Sequence, residues 1–233
     1  MKKLKTKSEL LKENKHDFNS LVSVMAALRS EGGCPWDIEQ THSSVRKCLI
    51  EETYEVIEAI DKHDPALLRE ELGDLMFQVV FHARIEDEEG RFNIDDVVHD
   101  ITHKMITRHP HVFAETVVSD SDEVIVNWDN IKREEKSLDS PVDILKRVPP
   151  YMPALLRAEK VQGKALKKFN YGIATPDKAI CTIENAVKNG LDRDSIGDLL
   201  MGLTAYAEMQ ELDLEEILTN RINAFIEGVE NKS

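Results

Sequence analysis

Two acidic clusters lie close together in the chain: Glu51-Glu52-Thr53-Tyr54-Glu55, and then Glu71-Leu72-Gly73-Asp74. Residues three or four apart on a helix share a face, so a helical chain projects Glu52 with Glu55 and Glu71 with Asp74. Between them, His63-Asp64-Pro65 is a turn signal, because proline lacks an N–H donor and disfavours helix at the residue before it. Two helices joined by so short a turn pack antiparallel, which sets four carboxylates face to face. Such a set repels itself unless a cation joins it. Oxygen donors without thiolate suit a hard divalent cation, Mg2+ or Mn2+. Acidic residues on helices usually form a solvated face, but the flanks here argue against that. Leu49, Ile50, Val56, Ile57 and Ile60 surround the first cluster, and Leu72, Leu75, Met76, Phe77, Val79, Val80 and Phe81 the second. A helix apolar over much of its circumference reads as buried, and carboxylates set into one are costly unless paired or metal-bound.

Lys104 and Arg108, four apart, share a face of a further predicted helix. Alone, such a pair is more often solvated. Beside a cation-binding acidic cluster it suits a polyphosphate, whose oxygens the cation bridges while Lys and Arg neutralise their charge. Trp36 and Trp128 are the two tryptophans. Both fall outside the strongest helical patterns, and each suits stacking on a base as well as capping the core. His82 shares a stripe with Asp74 and Gln78 at i+4 steps, where a core histidine, or one backing the site, is favoured over a ligand. Arg91, His109 and His111 lie near the same segment without a decisive role. A ferritin-like di-iron site needs Glu-x-x-His pairs. This chain has Glu-x-x-Glu and Glu-x-x-Asp instead, and oxygen-only ligation favours Mg2+ over redox iron.

The elements that must position these residues read as helices. Apolar spacing predicts them over 17–30, 44–62, 65–88 and 94–108, with Thr41 or Ser43 capping the second, Pro65 in the first turn of the third and Asn93 capping the fourth. No segment alternates with period two, so the expected fold is all-α. Residues 114–127 read as a loop and Lys132 to Pro141 as a charged linker, giving two domains, 1–136 and 137–233. The second half echoes the first: Ile196-Gly197-Asp198-Leu199-Leu200 follows Leu72-Gly73-Asp74-Leu75-Met76 at an offset of 124, and Asp213 to Ile217 follows Asn93 to Val97. A repeat of this kind points to duplication of a helical module. The second copy lacks the chemistry: Ser195 stands at the place of Glu71, Ala224 at that of Lys104 and Gly228 at that of Arg108, and Glu184 is alone in its cluster.

A formal net charge of −14 argues against a broad basic surface for nucleic acid. No apolar run approaches the ~20 residues that span a bilayer, and the lysine-rich start has no apolar core of a signal peptide. Three scattered cysteines, Cys34, Cys48 and Cys181, fit reduced thiols in the cytoplasm rather than a disulfide framework.

A set of motifs in one order then resembles a known family. Gly33-Cys34-Pro35-Trp36-Asp37, Gln40-Thr41-His42, Glu51 to Val56, Glu70 to Leu75, Arg108-His109-Pro110-His111-Val112-Phe113 and the run from Trp128 through Ile131, Lys132, Glu134 and Glu135 resemble the MazG nucleoside triphosphate pyrophosphohydrolases. The likeness is strong over 17–136 and weaker through Pro153-Ala154-Leu155-Leu156-Arg157-Ala158. It implies an all-α, dimeric enzyme built of tandem four-helix modules, the second degenerate here. It implies cleavage of nucleoside triphosphates to the monophosphate and pyrophosphate with a divalent metal. It implies metal ligands at Glu52, Glu55, Glu71 and Asp74, phosphate contacts from Lys104 and Arg108, and Trp128 near the base. Glu51 or Glu52 is the candidate general base. A narrower dUTP- or dCTP-type pyrophosphatase and a nucleotide sensor without turnover are the rival readings.

Overall fold

The computed structural model describes residues 3–114, 116–134 and 140–230. Among these, every regular element is helical and there is no strand, as expected of an all-α chain. The chain divides into two compact units, Met1–Asp129 and Asn130–Ser233. The division expected at residues 136 and 137 falls outside the described residues.

The first unit contains α1 (Lys7–Leu10), α2 (Phe18–Leu28), α3 (Pro35–Glu39), α4 (His42–Asp61), α5 (Pro65–Glu88), α6 (Ile94–Arg108), α7 (Pro110–Phe113) and most of α8 (Ser121–Glu134). Helix α4 starts at a reciprocal cap in which Thr41 accepts from the Ser44 amide while the Ser44 side chain accepts from Thr41. It ends in a three-residue turn where His63 takes a positive φ of 52°. Asp64 then caps α5, its Oδ1 accepting from the Ala66 and Leu67 amides at 2.9 and 3.1 Å, with Pro65 where its missing N–H costs nothing. So short a connection makes α4 and α5 an antiparallel hairpin, and α2 and α6 pack on α5. Met25, Val45, Val80, Phe81 and Ile85 are buried at the centre, with Leu21, Val22, Phe77 and Ile94 against them.

Two expectations need correction. Residues 121–127 are not loop but the start of α8: the Asp120 carboxylate accepts from the Glu123 amide at 2.9 Å, acidic residues fill the first turn, and Val124 and Trp128 recur at helical spacing. Trp128 is therefore on a helix, and so is Trp36, in α3. The linker expected over 132–141 is helical as far as Glu134 and again from Pro141; residues 135–139 lie outside the described residues. Nor is α5 buried all round, since Leu72, Met76 and Val79 are 46, 46 and 43 % exposed.

The second unit holds α9 (Pro141–Lys146), α10 (Ala154–Phe169), α11 (Pro176–Lys188), α12 (Arg193–Met209) and α13 (Leu214–Glu230). Helix α11 pairs with α12, and α10 packs on α12, α9 and α13. The three cysteines are free. Among the described residues, no helix is long and apolar enough to cross a membrane.

Candidate metal and phosphate site

The α4–α5 hairpin brings Glu52, Glu55 and Glu71 together, one carboxylate oxygen from each lying within 4.8 Å of the others. Glu52 and Glu71 are half-buried, and Glu55 and Asp74 exposed. Burial raises the Glu52 carboxyl above the ordinary carboxylate range, and so do the Asp74, Glu55 and Glu71 charges and a hydrogen bond with Glu55. Glu71 is raised by burial, then by Glu55 and Asp74. Asp74 thus adds its field to the cluster although it lies outside the tight trio. Three oxygens converging from two helices, with carboxyls pushed up by mutual repulsion, are chemically suited to a hard divalent cation. The rigid hairpin holds them together against that repulsion, so the residues present fit such an ion.

Lys104 and Arg108 stand one turn apart at the C-terminal end of α6. Lys104 is exposed. Arg108 is buried, its guanidinium 5.2 Å from the centre of the Trp128 ring. His109 meets the Trp128 ring edge-on at 5.0 Å and donates through Nδ1 to the Met105 carbonyl at 2.6 Å; a carbonyl only accepts, so this nitrogen carries the proton. His111 Nδ1 is buried without a hydrogen-bond partner among the described residues. Arg108, His109 and Trp128 therefore form one cluster, which the sequence suggested only as separate residues.

Trp36 is 58 % exposed and tied to the N-terminal end of α4, where Gln40 Nε2 donates to its carbonyl at 2.8 Å. Along α4, about 15 Å of helix lies between that end and Glu52, at 1.5 Å per residue. The Trp36 loop is fixed. Gly33 packs so tightly that a Cβ would lie 2.2 Å from the Leu28 carbonyl oxygen. Arg29, 6 % exposed in its side chain, binds the Asp37 and Gln40 carbonyls and pairs with Glu88 at 2.8 Å. Sequence reasoning missed this arginine and also a network of His42, His82, Glu86 and Arg91 at the base of the hairpin. The i,i+4 spacing of His82 and Glu86, with His42 in the first turn of the facing helix, was the available signal.

Residues 40–113 match the MazG nucleotide pyrophosphohydrolase domain. The chain is 46% identical over 155 residues to the uncharacterized protein YabN of Bacillus subtilis, covering 65% of this chain and 32% of that one. It is 45% identical over 148 residues to the nucleoside triphosphate pyrophosphohydrolase of Escherichia coli K12, covering 63% of this chain and 56% of that one. These alignments thus span from about a third to about half of those relatives' lengths. A longer match, 36% identity over 217 residues, joins it to the nucleoside triphosphate pyrophosphohydrolase/pyrophosphatase MazG of Thermotoga maritima, covering 90% of this chain and 83% of that one. With a match running through both units of the chain and the acidic hairpin inside the matched domain, this protein belongs to the MazG family.

Proposed function

We propose that this chain hydrolyses nucleoside triphosphates to the monophosphate and pyrophosphate with a divalent cation, Mg2+ or Mn2+, held by Glu52, Glu55, Glu71 and Asp74. The observation that carries this reading is the convergence of the Glu52, Glu55 and Glu71 oxygens within 4.8 Å. The relatives named for the activity support it. When bound, such a cation offsets phosphate charge and lowers the pKa of a coordinated water.

The chain's own groups do the rest. Lys104 and Arg108 place positive charge one turn apart for the polyphosphate. Trp128 offers an indole beside Arg108 for the base, and Trp36 a second exposed one. Either Glu51, paired with Lys47 at 2.9 Å, or Glu52 accepts the proton of the attacking water. Glu51→Gln separates the two: if Glu51 is the base, this variant loses turnover while retaining the cation, and unchanged turnover leaves the role to Glu52. We read the exposed apolar stripe of Leu72, Met76 and Val79 as the face on which a second copy docks, making a homodimer. Three free cysteines fit a reducing cytoplasm.

Product analysis with ATP, GTP, CTP, UTP and dUTP, each with and without Mg2+, tests the reading. Metal-dependent monophosphate plus pyrophosphate across several bases is the expected result and fits a house-cleaning role. Turnover of dUTP alone would favour the narrower pyrophosphatase. Diphosphate plus orthophosphate, or binding without turnover, would overturn the assignment.

A further inference from the structure

One stripe of α5 carries Asp74, Gln78, His82 and Glu86 on successive turns. Helix α4, running antiparallel beside it, brings His42 from its first turn to the last two of these. His42 Nε2 lies 2.6 Å from Glu86 Oε1, and His42 Nδ1 lies 2.7 Å from His82 Nδ1. The two ring centres are 5.0 Å apart and the planes 4° from parallel. Nitrogens so close, on rings whose centres are so far apart, leave no room for one ring to lie over the other. The imidazoles meet edge to edge in one plane, which is the geometry of an N–H···N hydrogen bond. Arg91 holds Glu86 from behind. At the far end of this line His82 Nε2 is buried without a hydrogen-bond partner among the described residues, and so is Oε1 of Gln78, itself 7 % exposed.

The protons in this line are constrained. Glu86 is ionised, its carboxyl pulled down to about 2 by the hydrogen bond from Arg91 and also by His42. An ionised carboxylate only accepts, so His42 Nε2 carries a proton. If His42 is neutral, its Nδ1 is a lone pair, His82 must donate through Nδ1–H, and His82 Nε2 is an acceptor. When a proton binds at His82 Nε2, the Nδ1 proton passes along the short contact to His42, and His82 Nε2 becomes a donor. Burial, and the histidine beside it, disfavour charge on the His82 ring.

We propose that Glu86, His42 and His82 form a proton relay whose state sets the orientation of the Gln78 amide, one turn from Asp74 in the α4–α5 seam. Gln78 lies one helical turn from His82 on the same stripe, and it can meet an acceptor Nε2 only through its NH2. With Nε2 as donor, Gln78 turns its oxygen. The relay thereby makes the packing around the carboxylate site responsive to pH. The charged group facing the pair on α5 is Glu86. Arg91 and Glu89, 3.5 Å apart, stand behind it in the turn before α6, and the Glu88–Arg29 pair lies on the other side of α5. Leu49 of α4, Val79 and Ala83 of α5, and Phe92 and Val97 toward α6 close an apolar pocket of about 280 Å³ beside the rings. The link to catalysis rests on the cation-site reading above; the relay itself does not.

The test reads both on the full chain. Long-range 1H–15N correlation of the histidine rings, recorded between about pH 5 and 8 where histidine titrates, reports each nitrogen's protonation without any substrate. His82 Nε2 is expected to change from unprotonated to protonated across the range, and His42→Gln should leave His82 in one form throughout. His82 unchanged across the range, or doubly protonated, would overturn the relay. Mg2+ affinity by calorimetry at the two ends of the range tests the coupling. The ratio of affinities should differ severalfold between wild type and His42→Gln, with Gln78→Leu resembling His42→Gln. Equal ratios would overturn the coupling. Absence of nucleotide hydrolysis would overturn the proposed function and leave the ring titration to decide the relay.

Discussion

In α5, Leu72, Met76 and Val79 form an apolar stripe that is nearly half exposed. In α12, Ile196, Leu200 and Leu203 form the same stripe 124 residues later, with exposures of 44, 45 and 37 %. The exposed apolar faces of the two hairpins thus match, while their seams do not. Ser195 stands where α5 has Glu71, Gly202 where it has Gln78, Tyr206 where it has His82 and Gln210 where it has Glu86; Asp198 alone repeats Asp74. Ser195 is also turned inward, its Oγ donating to Asp192 Oδ1 at 2.5 Å in the cap of α12. The second seam is closed by small residues. A Cβ on Gly202 would lie 3.0 Å from Ile183, and Ala179 and Ala186 are buried beside it. At that turn the helices approach too closely for a side chain as long as that of Gln78. The contrast separates two demands on one helical plan: an apolar face to bury, which both hairpins keep, and a polar seam that costs stability, which only the first carries. It supports a tandem origin with a second copy kept for packing.

The sharpest way to break the contrast is to give the first hairpin the residue of the second. Glu71→Ser should remove a carboxylate from the trio, abolish Mg2+ binding by calorimetry and lower turnover at least about a hundredfold, in the range seen when one charge-stabilising group is lost. Because it relieves repulsion on Glu52 and Glu55, the thermal midpoint should hold or rise. Retained turnover would mean that the trio is only a solvated face. Next in size, Lys104→Ala copies Ala224. If Lys104 stabilises charge developing on the phosphates, the loss in kcat is about 2–4 kcal/mol, measurable as a rate ratio with little change in the metal affinity. Wild-type kinetics would remove Lys104 from the site.

Much of this was legible in the sequence because it rests on local rules. Spacing of three and four placed the carboxylates on shared faces, and Thr41, Asp64-Pro65 and Asn93 marked helix starts that the structure keeps. What stayed hidden depends on tertiary packing. The polar run 114–127 has no strong apolar period, yet α8 forms there around Val124 and Trp128. Arg29 reads as an ordinary surface cation until its partners, Asp37, Gln40 and Glu88, are folded around it. His42 and Glu86 are 44 residues apart in sequence, and only the hairpin makes them neighbours.

A third change sharpens the comparison through pH. The Glu86 carboxyl falls from its ordinary 4.5 to about 2 in the fold. A depressed carboxyl contributes stability above its unfolded pKa and loses it as pH falls through the folded value. Glu86→Gln, which copies Gln210, should therefore lower the thermal midpoint near neutral pH and converge on wild type as pH drops from about 4.5 to about 2. A constant difference at all pH values would mean that the variant acts through packing rather than through the ion pair with Arg91.

The smallest expected effect tests the second hairpin itself. Ser195→Ala removes one hydroxyl that donates to Asp192, while the Ser195 amide still donates to Asp192 Oδ1 at 2.8 Å. The cap survives, so the cost is about that of one net hydrogen bond, ~0.5–1.5 kcal/mol, visible as a small drop in the urea midpoint. Turnover should not change, because Ser195 is 5 % exposed and its side chain is occupied by the cap. A fall in turnover larger than the fall in stability explains would show that the second hairpin reaches the chemistry after all. In that case the separation of packing from site drawn from Gly202, Tyr206 and Gln210 would not hold.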